Sequence, residues 1–201
     1  MKMKITLIIL AVLVIIFAIS QIYAMKSQNG IEKYPFKVVK TYDTFEIRAY
    51  EATLFTSVQL STNDYKKGSS QGFSILAGYI FGGNSDNEKI AMTSPVSMSL
   101  EDSMTMMFMV PKKFKKEDLP KPNQSDIQFK EEPAKTMAAI TFGGWANDEK
   151  IEDYKNKLIQ TLDKEGIAYT NRFYFFGYNA PFEVFNRKNE IVVELQPTIQ
   201  E

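Results

Sequence analysis

Apolar and polar positions alternate with a period of two along much of this chain. Residues 88–100, EKIAMTSPVSMSL, put Ile90, Met92, Val96, Met98 and Leu100 on even positions against Lys89, Thr93, Ser97 and Ser99 on odd ones. That spacing predicts a half-buried strand. Pro95, which cannot donate to a ladder, predicts an edge, bulge or bend at its centre. Strands rich in Val, Ile, Thr and aromatic residues are predicted over 36–42, 45–60 and 104–110, then over 127–131, 136–142, 173–177, 182–185 and 191–195. Residues 186–189 read as a turn between the last two. The period lengthens twice. After the cap residues Ser61, Thr62, Asn63 and Asp64, Tyr65, Phe73, Leu76, Ala77 and Ile80 fall near helical spacing, and Gly82-Gly83-Asn84 supplies a stop. Gly68, Gly72 and Gly78 weaken this helix by propensity, so packing must hold it. Asn147 caps a second helix with Ile151, Tyr154, Leu158 and Leu162 on one face and Gly166 beyond its end.

One apolar stretch has no period. Residues 5–19 are apolar apart from Thr6 and follow a start carrying Lys2 and Lys4. The run fades through residues 20–24, which places its length between a signal h-region of about 7–15 residues and a spanning helix of about 20. A cleaved signal and a retained membrane anchor both fit. In either case the basic start predicts that the remainder lies on the extracytoplasmic side. The expected organisation is a signal or anchor over 1–25, a polar linker over 26–34 and one domain over 35–197.

The domain's elements recur at an offset of about 85 residues: Ala49 falls on Ala134, Phe55 on Ile140, Pro95 on Pro181 and the 106–108 segment on 191–193. The expected fold is α+β: a distorted antiparallel β-barrel of two ββαββ-like halves with two helices outside. The matched prolines would mark where strands bend.

Lysine plus arginine equals aspartate plus glutamate at 24 each, and setting residues 1–24 aside leaves two more acidic than basic side chains. A balance this even gives no general attraction to nucleic acid. The five lysines of 111–126, PKKFKKEDLPKPNQSD, read as a solvated loop. The chain has no cysteine and no histidine. Disulfides, thiolate nucleophiles, histidine-dependent triads and the usual zinc sites are therefore excluded. Carboxylates at Glu46, Glu51, Glu183, Glu190 and Glu194 keep a hydrolase formally open, although their spacing does not pair them. Gly82-Gly83 lacks the surroundings of a phosphate loop.

Three strings in order, YIFGGN (79–84), EKIAMTSPV (88–96) and FGYNAPFEVFNRKNEI (176–191), resemble the SOUL haem-binding protein family. The similarity covers about residues 31–196. It implies the same distorted two-half barrel, and a non-enzymatic domain binding haem or a related tetrapyrrole. Some members use an axial histidine, which this chain lacks. Others hold the porphyrin in an apolar cleft beside the first helix with basic groups near its propionates, and that mode is the one implied here. Phe73, Leu76, Tyr79 and Ile80 occupy the corresponding helix segment, without basic residues evident on its face.

The residues themselves leave several roles open. Six of the ten methionines lie between Met92 and Met109. They are core filling or the deformable wall of a flat-ligand pocket, with Met92 and Met98 as the candidates. Arg187 and Lys188 are candidates for pairing with propionates, or for a solvated turn, or for an internal pair with Glu190. Tyr79, Tyr174 and Tyr178 could ligate iron as phenolates or simply pack. Trp145 reads as a helix-packing anchor. No axial metal ligand is singled out. A sensing or scaffold domain for another apolar molecule or lipid is the alternative to haem, favoured if the cleft has no cation at its rim.

Overall fold

The structure, a computed structural model, describes residues 2–27, 30–62, 64–101 and 103–197. Helix α1 (Lys2–Ser27) precedes β1 (Glu32–Lys33), β2 (Phe36–Thr41), β3 (Glu46–Tyr50) and β4 (Thr53–Gln59). Then come α2 (Tyr65–Ile80), β5 (Thr93–Ser94), β6 (Val96–Ser99) and β7 (Thr105–Met109). The second half runs β8 (Ile127–Glu132), β9 (Lys135–Gly143), α3 (Asp148–Lys164), β10 (Tyr169–Gly177) and β11 (Lys188–Leu195).

Nine strands form one curled antiparallel sheet in the order β2-β3-β9-β11-β10-β6-β7-β4-β8. Apart from the extra edge strand β2, the order is symmetric about the β10–β6 seam, so the two halves are related. Each half also lends one strand to the other: β3 leads into β4 but pairs with β9, and β8 leads into β9 but pairs with β4. The corners fall at residues 51–52 and at Pro133, which has no N–H to leave unpaired.

Strand residues alternate between two cores. On one face Met106, Phe108, Ala138, Ile140, Phe175 and Ile191 pack against α2 and α3. On the other, Met107, Met109, Met137, Ala139, Phe176 and Val192 close around Tyr34, Tyr50 and Phe55. With both faces covered, β7 reads as an unbroken apolar run, MMFM, rather than an alternation.

Two of the three glycines of α2, Gly68 and Gly72, have a packing reason, whereas a Cβ on Gly78 would meet nothing within 4 Å. A Cβ on Gly68 would lie 2.6 Å from Met104 Sδ, and one on Gly72 would lie 3.0 Å from Met106 Cβ. Their i,i+4 stripe lets the helix lie directly on β7. Asp64 caps α2 through the Lys67 N–H at 2.8 Å, and Asn147 caps α3 through the Lys150 N–H at 2.9 Å. Gly82 and Gly166 take positive φ at 111° and 65° just past the two helices.

Three expectations are corrected. Residues 88–100 do not form a half-buried strand: only Thr93–Ser94 and Val96–Ser99 are extended, and Ser97 and Ser99 are buried because the second core covers their face. Residues 182–185 are not a strand but part of the long connection between β10 and β11. The two prolines are not equivalent. Pro95 precedes β6, whereas Pro181 follows β10, although β6 and β10 are the symmetry-related pair. The linear offset holds for β4/β9, the helices and β7/β11, but β6 is short and the loop after β10 is long.

Candidate functional site

A cleft of about 660 Å³ opens between α2, the start of α3 and the 178–187 loop. The β6–β10 seam forms its floor, where Val96, Met98 and Phe175 present apolar faces and Gly177 presents none. Tyr65, Ser69 and Phe73, on successive turns of α2, make one wall. Trp145 and Ala146 make the opposite wall, and Asn179, Pro181 and Arg187 overhang it. The helix ends are locked together where the Tyr65 N–H donates to Asp148 Oδ1 at 2.7 Å. The Tyr65 ring packs edge-on to Phe175, and burial raises its phenol above the ordinary value.

Lys66 gives the α2 face of the cleft a basic residue that the sequence did not make evident, and a second cation lining it is Arg187. Its guanidinium lies 3.9 Å from the centre of the Trp145 ring, and its Nη1 donates to the Ala180 and Glu183 carbonyls at 3.1 and 2.6 Å. Its buried Nε has no hydrogen-bond partner among the described residues. Burial draws its pKa below the usual guanidinium range. No Asp or Glu is among the described residues lining the cleft.

Under the base of the loop, on the other face of the sheet, sits a buried ionic network. Arg48 meets Glu190 in a two-pronged contact, Nη1 to Oε2 at 2.9 Å and Nη2 to Oε1 at 3.0 Å. Glu190 also accepts from Tyr178 Oη at 2.6 Å and Thr141 Oγ1 at 3.1 Å, and Lys188 Nζ lies 2.9 Å from its Oε1. Burial pushes Glu190 up, but the hydrogen bonds and charge of Arg48, then Tyr178 and Lys188, outweigh it and hold the carboxyl below its usual range. Burial likewise opposes the charge of Arg48, and Glu190 overcomes it so that the guanidinium pKa rises. Tyr178 and Lys188 stand at the two ends of the 178–187 loop, so one carboxylate grips both.

The structure brings together Phe73, Met98 and Arg187 of the eight candidate residues. Leu76 and Tyr79 fall instead on the stripe with Gly68 and Gly72 that faces the sheet, and Tyr79 donates to the Pro120 carbonyl at 3.0 Å. Ile80 lies beyond Ser74, the last residue of α2 on the cleft, and is buried in the helix-side core. Met92 packs at the edge of that core. Lys188 turns to Glu190 and lies 4.4 Å from the Tyr178 ring, the internal pairing that the sequence left open. Of the phenolate candidates, Tyr79 is pushed up to about 12 by burial, Tyr174 lies in the second core, and Tyr178 is bound to Glu190. None of the three lines the cleft.

Trp145 is not a helix-packing anchor: it is 56% exposed and stacks on Arg187. Gly144, at φ 76°, turns the chain just before it. The sequence reading missed Tyr65 as a wall residue and missed the Arg48–Glu190 pair, which are 142 positions apart.

The family described as SOUL heme-binding protein matches residues 31–194. Heme-binding protein 2 of Mus musculus is 27% identical over 168 residues, covering 78% of this chain and 82% of the mouse protein. Heme-binding protein 1 of Xenopus laevis is 27% identical over 176 residues, covering 81% of this chain and 92% of the frog protein. Among solved structures, the C-terminal domain of EcmrR aligns at a TM-score of 0.61 and 13% identity, over 77% of this chain and 98% of that domain. A hydrolase from Listeria innocua aligns at 0.53 and 10% identity, over 79% of this chain and 94% of its own. Such low identities speak to the fold alone. The family match begins just before β1 and ends within β11, so it takes in the sheet, both packed helices and the whole cleft, and the chain belongs to the SOUL haem-binding protein family.

Proposed function

We propose that the chain is a non-enzymatic, membrane-anchored binding module that holds haem or a related tetrapyrrole in the α2 cleft without a histidine ligand. The observation that carries this reading is the cleft itself: about 660 Å³, with Phe73, Val96, Met98, Trp145 and Phe175 among its lining and the cations Lys66 and Arg187 beside them. Pockets for ligands of this kind run to roughly 300–1,000 Å³ and combine apolar walls with a few placed polar groups. Phe73, Phe175 and Val96 would lie against the faces of the macrocycle, and Arg187 would meet a carboxylate. Met98 and Met106 supply thioether sulfur at the floor but are almost wholly covered, so they serve as packing rather than as projecting ligands. When bound, haem supplies the iron and the visible spectrum. The relatives' printed names support haem as the guest, and the cations lining the cleft favour a carboxylated guest over a purely apolar one.

Helix α1 supports the anchor. Residues Lys4–Gln21 have a mean hydropathy of 2.5 and are long and apolar enough to span a membrane. The basic start would leave the domain on the extracytoplasmic side.

The test is a spectral titration of the full chain in detergent with haem, an iron-free dicarboxylic porphyrin and a fatty acid. Haem and porphyrin should both bind, with a perturbed Soret band and no imidazole-type low-spin signature. Saturable binding of the fatty acid alone would overturn the tetrapyrrole reading, and a bis-nitrogen low-spin spectrum would overturn the stated mode.

A further inference from the structure

The loop over 178–187 carries an apolar tip that the cleft does not use. Phe182 is 63% exposed, Phe185 55% and Val184 43%, and none of the three lines the cleft. Three large apolar side chains exposed on one short loop call for a partner.

The structure also ties this tip to α1. Among the described side chains of α1, residues 4–21, only Gln21 is buried. Its amide makes a matched pair of bonds to the loop backbone: Nε2 donates to the Phe182 carbonyl at 3.2 Å, and Oε1 accepts from the Val184 N–H at 3.1 Å. The side chain thus satisfies two main-chain groups of the loop as a neighbouring strand would. Gln21 is also the last residue of the apolar stretch Lys4–Gln21. Eighteen residues at 1.5 Å rise make about 27 Å, close to the roughly 30 Å of a hydrocarbon core. If Lys4 marks one boundary of the bilayer, Gln21 marks the other. The Phe182–Val184 backbone bonded to Gln21 lies at that same depth.

We infer that the apolar tip of the 178–187 loop, with Trp145 beside it, rests in the lipid interface of the membrane that α1 spans, so that the mouth of the cleft opens at the bilayer surface. The occupant is lipid rather than another protein because the tip is continuous with the one element built for lipid. The composition agrees. Two phenylalanines form the tip, and an exposed tryptophan stacked on an arginine sits where aromatic and basic residues collect at membrane boundaries. Part of the loop's polarity is turned inward: Glu183 accepts from the Asn179 side chain and the Ala180 N–H, and Gln21 takes the backbone at 182 and 184. What the tip shows to its surroundings is mainly hydrocarbon. The inference rests on the reading of α1 as a bilayer span, but not on the identity of the cleft's guest.

Trp145 is the sole tryptophan of the chain, which makes it a reporter. The full chain is reconstituted into vesicles of phosphatidylcholine and phosphatidylglycerol in equal parts, with or without acyl chains brominated near the carbonyl end. Flotation of the protein with the vesicles is checked first, and no haem is present. Trp145 emission should fall roughly twofold in the brominated vesicles, as for an aromatic side chain at the interface. Phe182→Ser with Phe185→Ser should remove most of that quenching and raise quenching by aqueous iodide. Gln21→Ala, which leaves the tip intact but cuts both bonds, should act in the same direction. Floating protein whose tryptophan ignores bromolipid, or whose quenching survives the double substitution, overturns the inference and leaves the anchor standing. Protein that fails to float overturns both, and neither result bears on the haem titration.

Discussion

Consider neutralising Glu190 by Glu190→Gln. Its side chain is fully buried and Arg48 is 4% exposed, so neither charge has water to fall back on. Removing one partner of such a pair costs about 3–5 kcal/mol. Glu46, 2.8 Å from Arg48 Nε but one-third exposed, compensates part of the loss, which puts the cost near 3 kcal/mol. For a domain of this size that is a fall in Tm of about 6–12 °C. Arg48→Met should cost less, about 2–3 kcal/mol, because Glu190 keeps Lys188, Tyr178 and Thr141. The double variant Arg48→Met with Glu190→Leu replaces the pair by hydrocarbon and should recover about 2 kcal/mol of the summed cost. The assay is urea unfolding of the full chain in detergent, followed by the β-sheet circular dichroism signal. The same carboxyl fixes a pH dependence. Its folded pKa lies below the unfolded one, so the stabilisation is complete above the unfolded value of about 4.3 and is lost as pH falls through the folded value. Glu190→Gln should flatten that acid limb. Because Tyr178 and Lys188 bracket the cleft loop, Glu190→Gln should also weaken porphyrin binding more than Arg48→Met does. Additive single costs, or single costs under about 1 kcal/mol each, would refute the coupling.

Gly72→Ala should destabilise by about 1–2 kcal/mol, since its Cβ would crowd Met106 Cβ and Leu60 and the strain exceeds the roughly 1 kcal/mol gained in helix propensity. Gly68→Ala meets the flexible end of Met104 and should be near neutral; thermal unfolding of the pair separates the two cases. Arg187→Met should lower affinity for a dicarboxylic porphyrin about tenfold and leave its dimethyl ester unaffected, read by the same Soret titration. Asn147→Ala removes the bond to the Lys150 N–H and should cost about 1 kcal/mol in a denaturant melt.

How much of this was legible depends on how far apart the cooperating residues lie. The helix ends could be read because a cap, an apolar stripe and a glycine stop sit within one or two turns. Asn147, Leu158 and Gly166 each do what their spacing implied. The strand over 88–100 was misjudged because period two presumes one wet face, and Ser97 and Ser99 are covered by a core whose members, Tyr34 and Phe55 among them, come from the far end of the domain. On α2 the helix could be read, but its faces were not separable, and the cleft borders its first half, Tyr65–Ser74, rather than the later segment the sequence singles out. Phe73 reaches the cleft, whereas Leu76 and Tyr79 join the glycine stripe, and only the closeness of Met106 to Gly72 reveals which side the sheet occupies. The Arg48–Glu190 pair left no local trace, because β3 and β11 are joined through β9 by the strand exchange between halves.

That exchange also explains why the 178–187 loop can border the cleft, rest on the ionic network and meet Gln21 at once. β10 and β11 lie in the middle of the sheet, so both faces beneath their connection are occupied by core. A long excursion there has no exposed sheet edge to lie along and must find its own supports. Three are present: Glu190 under its ends, Arg187 bonded to its own carbonyls at Ala180 and Glu183, and Gln21 at its tip. Each support acts on a different part of the loop. Loss of Gln21 should therefore change lipid contact with little change in global stability, whereas loss of Glu190 should change stability and guest affinity together. Measuring Trp145 quenching and urea midpoints on the same two variants, Gln21→Ala and Glu190→Gln, separates a loop held at independent points from one that folds or frays as a unit.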